Sequence, residues 1–155
     1  MERAIPVQVP GIRWSAGAPE PLLVASERRT LFAFYRSDDE VEQGDEVQAA
    51  EFVGCTSVRF GFPNDEALQG HPLWGHGLAL YSVHEVEESS WVAALRTNES
   101  AHPAAPKRPF ADAKHFVLTF HDSTLEAVAR SIVALGTFAS IGAAASALAA
   151  GLSSA

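Results

Sequence analysis

The sequence predicts an α+β fold: a single β-rich domain with an antiparallel, mostly meandering sheet, a short helix near residues 90–98 and a C-terminal helix from about residue 124. Three observations predict it. Apolar residues alternate with polar ones in several short runs, which is the period of half-buried strands. Proline, glycine and charged clusters punctuate those runs at short intervals, which suits hairpins rather than helical crossovers. Two serine-led capping signals, Ser89-Ser90 and Ser123 followed by Glu126, mark helix starts.

Ile5, Val7 and Val9 alternate with Pro6, Gln8 and Pro10, and this predicts an edge strand, because proline cannot donate inside a ladder. Leu22 to Ala25 and Leu31 to Arg36 are separated by Ser26, Glu27, Arg28, Arg29 and Thr30, the spacing of a hairpin with a charged connection; Phe32 and Phe34 then share a face. From Asp38 to Glu51 there are seven acidic residues and no basic one, read as a solvated hairpin end without the spacing of an EF-hand. Phe52, Thr56, Val58, Phe60 and Phe62 alternate with Val53, Cys55, Ser57 and Arg59, which predicts one long strand with an apolar face; Cys55 falls on the other face as a small filler. Leu78 to Val86 reads as a further strand. The helix capped by Ser89 turns Trp91, Ala94 and Leu95 inward, and the proline-rich run 101–109 forms an exposed loop.

The strand from His115 to His121 points Phe116, Leu118 and Phe120 to a core and His115, Val117, Thr119 and His121 the other way. At about 3.3 Å per residue those two histidines stand roughly 20 Å apart, too far to ligate one metal together. Ser123 and Glu126 then form a capping box ahead of Leu125, Val128, Ile132 and Leu135, which predicts a helix. No charged residue occurs from 131 to 155, so the chain divides into a globular part, 1–130, and an uncharged Ala/Gly/Ser-rich tail, 131–155. That tail reaches the length of a membrane span, about 20 residues, but its glycines and serines dilute its hydrophobicity. A helix packed on the domain or on a partner subunit is the leading reading, with a flexible tail and a membrane contact as alternatives.

The 155 residues carry 19 acidic and 11 basic side chains, a net charge of −8 that repels phosphate backbones and argues against nucleic acid as a partner. One cysteine cannot build a disulfide framework or a thiolate zinc cluster. Together with an N-terminus that lacks a basic start and an apolar run, this points to a cytoplasmic setting. There is no GxSxG elbow, no P-loop and no GxGxxG run, so acyl transfer by a triad and nucleotide hydrolysis are set aside.

The richest stretch is Gly61 to Leu78, GFPNDEALQGHPLWGHGL. Asn64 can cap a short helix with Asp65 and Glu66 in its first turn, and Gly70 can end it. The whole stretch reads either as a rigid packed connection or, from its remaining polar groups, as a ligand, partner or metal-binding loop made of Asn64, Asp65, Glu66, His71, Trp74 and His76. The five-residue separation of His71 and His76 matches no known metal signature.

Several separated runs resemble a bacterial protein family of uncharacterised function: Pro63-Asn-Asp-Glu-Ala-Leu68, Gly70-His-Pro-Leu73, Glu85-Val86 with Ser89-Ser-Trp91, and His115-Phe116 leading into Thr119-Phe-His-Asp-Ser-Thr124 with Glu126. The likeness spans roughly residues 21–129. It implies a shared fold and a common site to which His71, His121 and Asp122 belong beside Asp65 and Glu66, and it implies no activity or cofactor. Two functions follow as expectations. The first is a small accessory or binding protein that uses loop 61–78 for a ligand or partner and the C-terminal tail for self-association. The second is a small acid–base or metal-dependent enzyme with His71, His121, Asp122 and Glu66 as its catalytic set.

Overall fold

The protein is seen in a computed structural model that describes residues 1–12, 20–36, 46–103 and 110–152. Its strands are β1 (Arg3–Pro6), β2 (Leu22–Ala25), β3 (Thr30–Tyr35), β4 (Val47–Val53), β5 (Ser57–Gly61), β6 (Val83–Glu87), β7 (Lys114–Thr119), β8 (Thr124–Ala129) and β9 (Ser131–Phe138). Two helices, α1 (Ser90–Ser100) and α2 (Ile141–Gly151), and a 3-10 helix at Asp65–Gly70 complete the described elements. All pairing is antiparallel. The first sheet has the order β1-β6-β7-β8-β5 and the second β2-β3-β4-β9.

The sheets face each other across a phenylalanine-rich core. Phe32, Phe34 and Phe52 from the second sheet meet Phe116, Leu118, Phe120, Leu125 and Ala127 from the first. Ring centroids lie 4.5 Å apart for Phe32 and Phe52 within the second sheet, and 5.9 Å for Phe34 and Phe120 and 6.5 Å for Phe52 and Phe116 across the layers, so the last two contacts bridge them. β2 and β3 form the hairpin, and Ser89 caps α1 by accepting from the Val92 N–H, as the local signals predict; β1 is an edge strand, but it pairs over Arg3–Pro6 rather than along the alternation from Ile5 to Pro10. In α1, Trp91 and Val92 are the buried pair, whereas Ala94 is exposed.

The long strand expected over 52–62 is two strands in two sheets. Gly54 adopts φ +64°, and a Cβ there would lie 2.4 Å from Arg130 Nε, so a side chain at this corner would be strained and would displace the arginine. Across from it, β8 passes into β9 at Arg130, whose N–H donates to the Val53 carbonyl while Thr56 N–H donates to the Val128 carbonyl. The paired ribbon thus leaves one sheet and enters the other, a sandwich corner of the kind made by bulged strands. Phe60 and Phe62 lie past this corner and are exposed instead of sharing a buried face with Phe52. The strand expected over 78–86 is likewise shorter. Thr119 Oγ1 donates to the Ala79 carbonyl and accepts from the Ser82 N–H, which holds residues 79–82 as a turn ahead of β6.

The helix expected from about residue 124 is a β-hairpin arm, and the C-terminal helix begins at Ile141. Leu125, Ala127 and Ala129 alternate into the core, and β8 is hydrogen-bonded on both sides, to β7 and β5. Leu125, Val128 and Ile132 satisfy the helical spacing by coincidence, because they lie on two successive strands. A cap contributes about 1 kcal/mol. Fully burying Leu125 and Val128 is worth about 1.5–3 kcal/mol each, so tertiary burial wins. The Ser123 hydroxyl, expected to cap, is buried without a hydrogen-bond partner among the described residues.

Residues 131–152 belong to the domain, so the division expected at residue 130 does not hold. β9 pairs with β4 from Val53↔Ser131 to Val47↔Phe138. α2, capped by Ser140, packs Ala144 and Leu148 on Leu31, Ala33, Val47 and Ala49. Arg29 binds Glu51 at 2.7 Å and donates to the Gly151 carbonyl, a cation at the C-terminal end of that helix. Among the described residues no helix is long and apolar enough to cross a membrane. Most of the acidic run, 38–45, and Lys107 and Arg108 in the proline-rich loop lie outside the described residues.

Candidate functional site

Strand register decides which side chains share the outer face of the first sheet. Leu125 and Ala127 point to the core, so Glu126 between them points outward, opposite Val117 on β7 and Arg59 on β5. His115, Val86 and His84 share that face. Two covers lie over it. Residues 61–82 seat Leu68, Leu73 and Leu78 on Ala4, Val86 and Val117, while α1 seats Trp91 and Val92 on Val128.

The first cover is fixed at several points. Asn64 Oδ1 accepts from the Ala67 N–H and caps the 3-10 helix as its spacing predicts, and Asp65 N–H donates to the His121 carbonyl. Thr124 Oγ1 donates to the Pro63 carbonyl. Gly77, at φ +100°, lets the backbone approach Ala4: a Cβ there would lie 2.1 Å from the Ala4 oxygen. Beside it, the His76 carbonyl accepts from the Ala4 N–H.

Beneath the covers lies a chain of four polar side chains. Glu126 Oε1 is 2.8 Å from His115 Nε2 and Glu126 Oε2 is 3.2 Å from His71 Nε2. Only 12% of the Glu126 side chain, 7% of His71 and 4% of His115 remain exposed, so this carboxylate is shielded from water. Burial by itself pushes the Glu126 carboxyl up, but the hydrogen bonds from His115 and His71 outweigh burial and hold it at about 2. The tautomers follow. His71 Nδ1 accepts from the Leu73 N–H, so its proton sits on Nε2 and is donated to Glu126. His115 donates its own Nε2–H to Glu126, which leaves Nδ1 as an acceptor 2.8 Å from Ser89 Oγ. Trp91 meets the His115 ring edge-on at 5.1 Å, and Arg59 lies 3.8 Å from the Trp91 ring centroid.

A second group forms at the surface, at the end of β7. Tyr81 donates to Asp65 Oδ2 at 2.6 Å, and His121 lies 3.8 Å from the same oxygen and 2.9 Å from Asp122 Oδ1. The Tyr81 hydrogen bond holds the Asp65 carboxyl below its usual range, and the Asp122 hydrogen bond, with the charge of Asp65, raises the His121 imidazole above its own. Tyr81 also lines a cleft of about 700 Å³ against residues 6–12. His84 is separate and fully buried: Nδ1 donates to the Val117 carbonyl and Nε2 accepts from the Ala79 N–H, and burial lowers its pKa, so it is neutral.

The predicted catalytic set is therefore divided. His71 joins Glu126 and His115; His121 and Asp122 join Asp65 and Tyr81 instead; Glu66 is exposed and acts on His121 only through its charge. Of the predicted loop residues, Asn64 is structural, while Trp74 and His76 face solvent. The sequence does not mark Glu126, Ser89 or Tyr81 as site residues, and it places His115 only on the outward face of its strand. Reading Ser123 to Ala129 as a strand would have found Glu126, since it then shares the outer face with His115. Among the described residues, no group of three or more His, Cys, Asp or Glu side chains is arranged to hold a metal ion. No protein-family model, curated protein or solved structure matches the chain.

Proposed function

We propose that this is a small intracellular binding protein that presents residues 61–82 to a protein partner, with the buried histidine–glutamate chain acting as the clamp that keeps the segment rigid. One contrast carries the reading. Phe62, Leu80 and Trp74 are 84%, 41% and 39% exposed, yet they belong to a segment anchored from below by Leu68, Leu73, Leu78 and His71. Large apolar side chains held outward on a fixed backbone lose little freedom on binding and serve as interface anchors. Asp65, Glu66 and Asp122 all act on His121, and the net charge is −8, so the complementary partner has an apolar pocket rimmed by basic groups. Val133 and Leu135, exposed on the edge strand β9, are the part of the C-terminal segment left for self-association.

The test is a photo-cross-linking amino acid at position 62 in cells, with the captured species then measured against Phe62→Ser and Trp74→Ser proteins. Loss of binding by both variants with unchanged thermal stability supports the reading. Equal binding by the variants removes it. An acid–base enzyme is the second reading, and one observation favours it: Ser89, His115 and Glu126 are hydrogen-bonded in series.

A further inference from the structure

That series ends at an opening in the surface. Ser89 is half-buried and, with His115, lines a recess of about 300 Å³ whose wall includes Val86, Val92, Ala93 and Ala113 and whose charged residues are of both signs, Arg96 and Lys114 with Glu85 and Glu88, Lys114 being paired to Glu85. We propose that Ser89 is a nucleophile served by His115 and Glu126, and that the protein hydrolyses esters of short-chain acyl groups bound in this recess. The proposal is independent of the partner surface at Phe62.

The atoms are in the order that nucleophilic catalysis needs. The Glu126 carboxylate fixes the His115 proton on Nε2, and Nδ1 thereby faces the serine hydroxyl as a base at 2.8 Å. Both residues line the recess, but His115 keeps only 4% of its side chain exposed while Ser89 is half-buried, so the base is shielded and the serine is the more accessible of the two. The edge contact with Trp91 keeps the imidazole from turning. Ser89 Oγ also accepts the Val92 N–H at 3.2 Å from the first turn of α1, a fixed dipole that stabilises charge on that oxygen as its proton leaves. A recess of this size lies at the lower limit of ligand sites, which restricts the acyl group to a few carbons.

In the first step Ser89 Oγ bonds to the ester carbonyl carbon and its proton passes to His115 Nδ1, with Glu126 holding the resulting imidazolium. The C–O bond to the alcohol then breaks, and the departing oxygen takes the proton from Nδ1. Water, deprotonated at Nδ1, attacks the acyl-serine. The carboxylic acid leaves, and the proton returns to Ser89 Oγ, so ester and water give acid and alcohol.

The competing explanation is that Ser89 only caps α1 and that His115 only fastens the sheet. Ser89→Asn separates the two, because asparagine caps a helix as well as serine does but has no hydroxyl. The folded protein is treated with a fluorophosphonate probe and analysed by intact and peptide mass spectrometry, and hydrolysis of p-nitrophenyl acetate, butyrate and octanoate is followed. The expected result is one adduct on the peptide containing Ser89, with acetate or butyrate preferred to octanoate. Ser89→Asn keeps the fold and loses the adduct, and its hydrolysis falls by about 10²-fold or more. His115→Gln lowers the rate and removes its dependence on an ionising base. A folded wild-type protein that takes up no probe, or one that hydrolyses these esters no faster than folded Ser89→Asn, overturns the proposal.

Discussion

Replacing Glu126 with glutamine keeps the shape of the side chain and removes its charge, which isolates what the buried carboxylate does for the fold. Burial raises its carboxyl, but His115 and His71 donate two hydrogen bonds to the ionised form and hold it at about 2, against an ordinary 4.5. That difference corresponds to about 3 kcal/mol in favour of the native state at neutral pH. The folded value lies below the unfolded one, so this contribution is fully present above about pH 4.5 and is lost as pH falls towards 2. Glutamine can accept from one imidazole, but its NH₂ group then faces the other Nε2–H. Rescue by a tautomer change would sacrifice the Leu73 bond to His71 or the Ser89 bond to His115. We expect Glu126→Gln to lose about 2–3 kcal/mol at pH 7, equivalent to about 5–10 °C in Tm for a chain of this length. Urea unfolding of both proteins at pH 7, 5, 4 and 3 provides the assay, and the gap between them should narrow as the pH falls. A gap that is absent at pH 7, or that stays constant down to pH 3, would refute the reasoning.

Three further outcomes are expected. His84 has its pKa lowered by burial, so the unfolded chain takes up the proton first and stability falls as pH drops below about 6.5; His84→Gln should lose that part of the pH dependence in the same unfolding series, along with about 1–3 kcal/mol from the disrupted buried bonds. His121 has the opposite sign, since its raised pKa stabilises the fold below the unfolded value and the effect is lost as pH rises through the folded one; NMR titration should place it above 6.5 in the wild type and lower in Asp122→Asn and Asp65→Asn. Gly77→Ala should destabilise by more than about 2 kcal/mol and expose the β1 amides to hydrogen exchange first, because its Cβ would strike the Ala4 carbonyl at a strained φ; unchanged β1 protection would contradict this close approach.

The elements legible in the sequence were those whose signals are local. The β2-β3 hairpin, the Ser89 cap and the Asn64 cap depend on a few neighbouring residues and form where those residues indicate, while the edge strand β1 forms earlier than its proline alternation indicates, over Arg3–Pro6. Signals failed where two local readings competed. Ser123-x-x-Glu126 is a sound capping box, and Leu125, Val128 and Ile132 have helical spacing, but the same residues also alternate, and β7 and β5 on either side favour the strand. Gly54 carried no mark of a corner until Arg130 was opposite it.

For this protein, composition and alternation determined a single acidic, antiparallel β-rich domain, because burial of apolar faces at period two needs no knowledge of the partner strand. The tertiary structure alone decided that Ser89, His71, His115 and Glu126 meet. They come from a helix cap, a loop and two strands, separated by up to 55 residues between His71 and Glu126, and what joins them is sheet register: Glu126 stands outward opposite Val117, two residues along β7 from His115 and on the same face, and the cover brings His71 down onto it. Register is a property of paired strands, and no single stretch of the chain carries it.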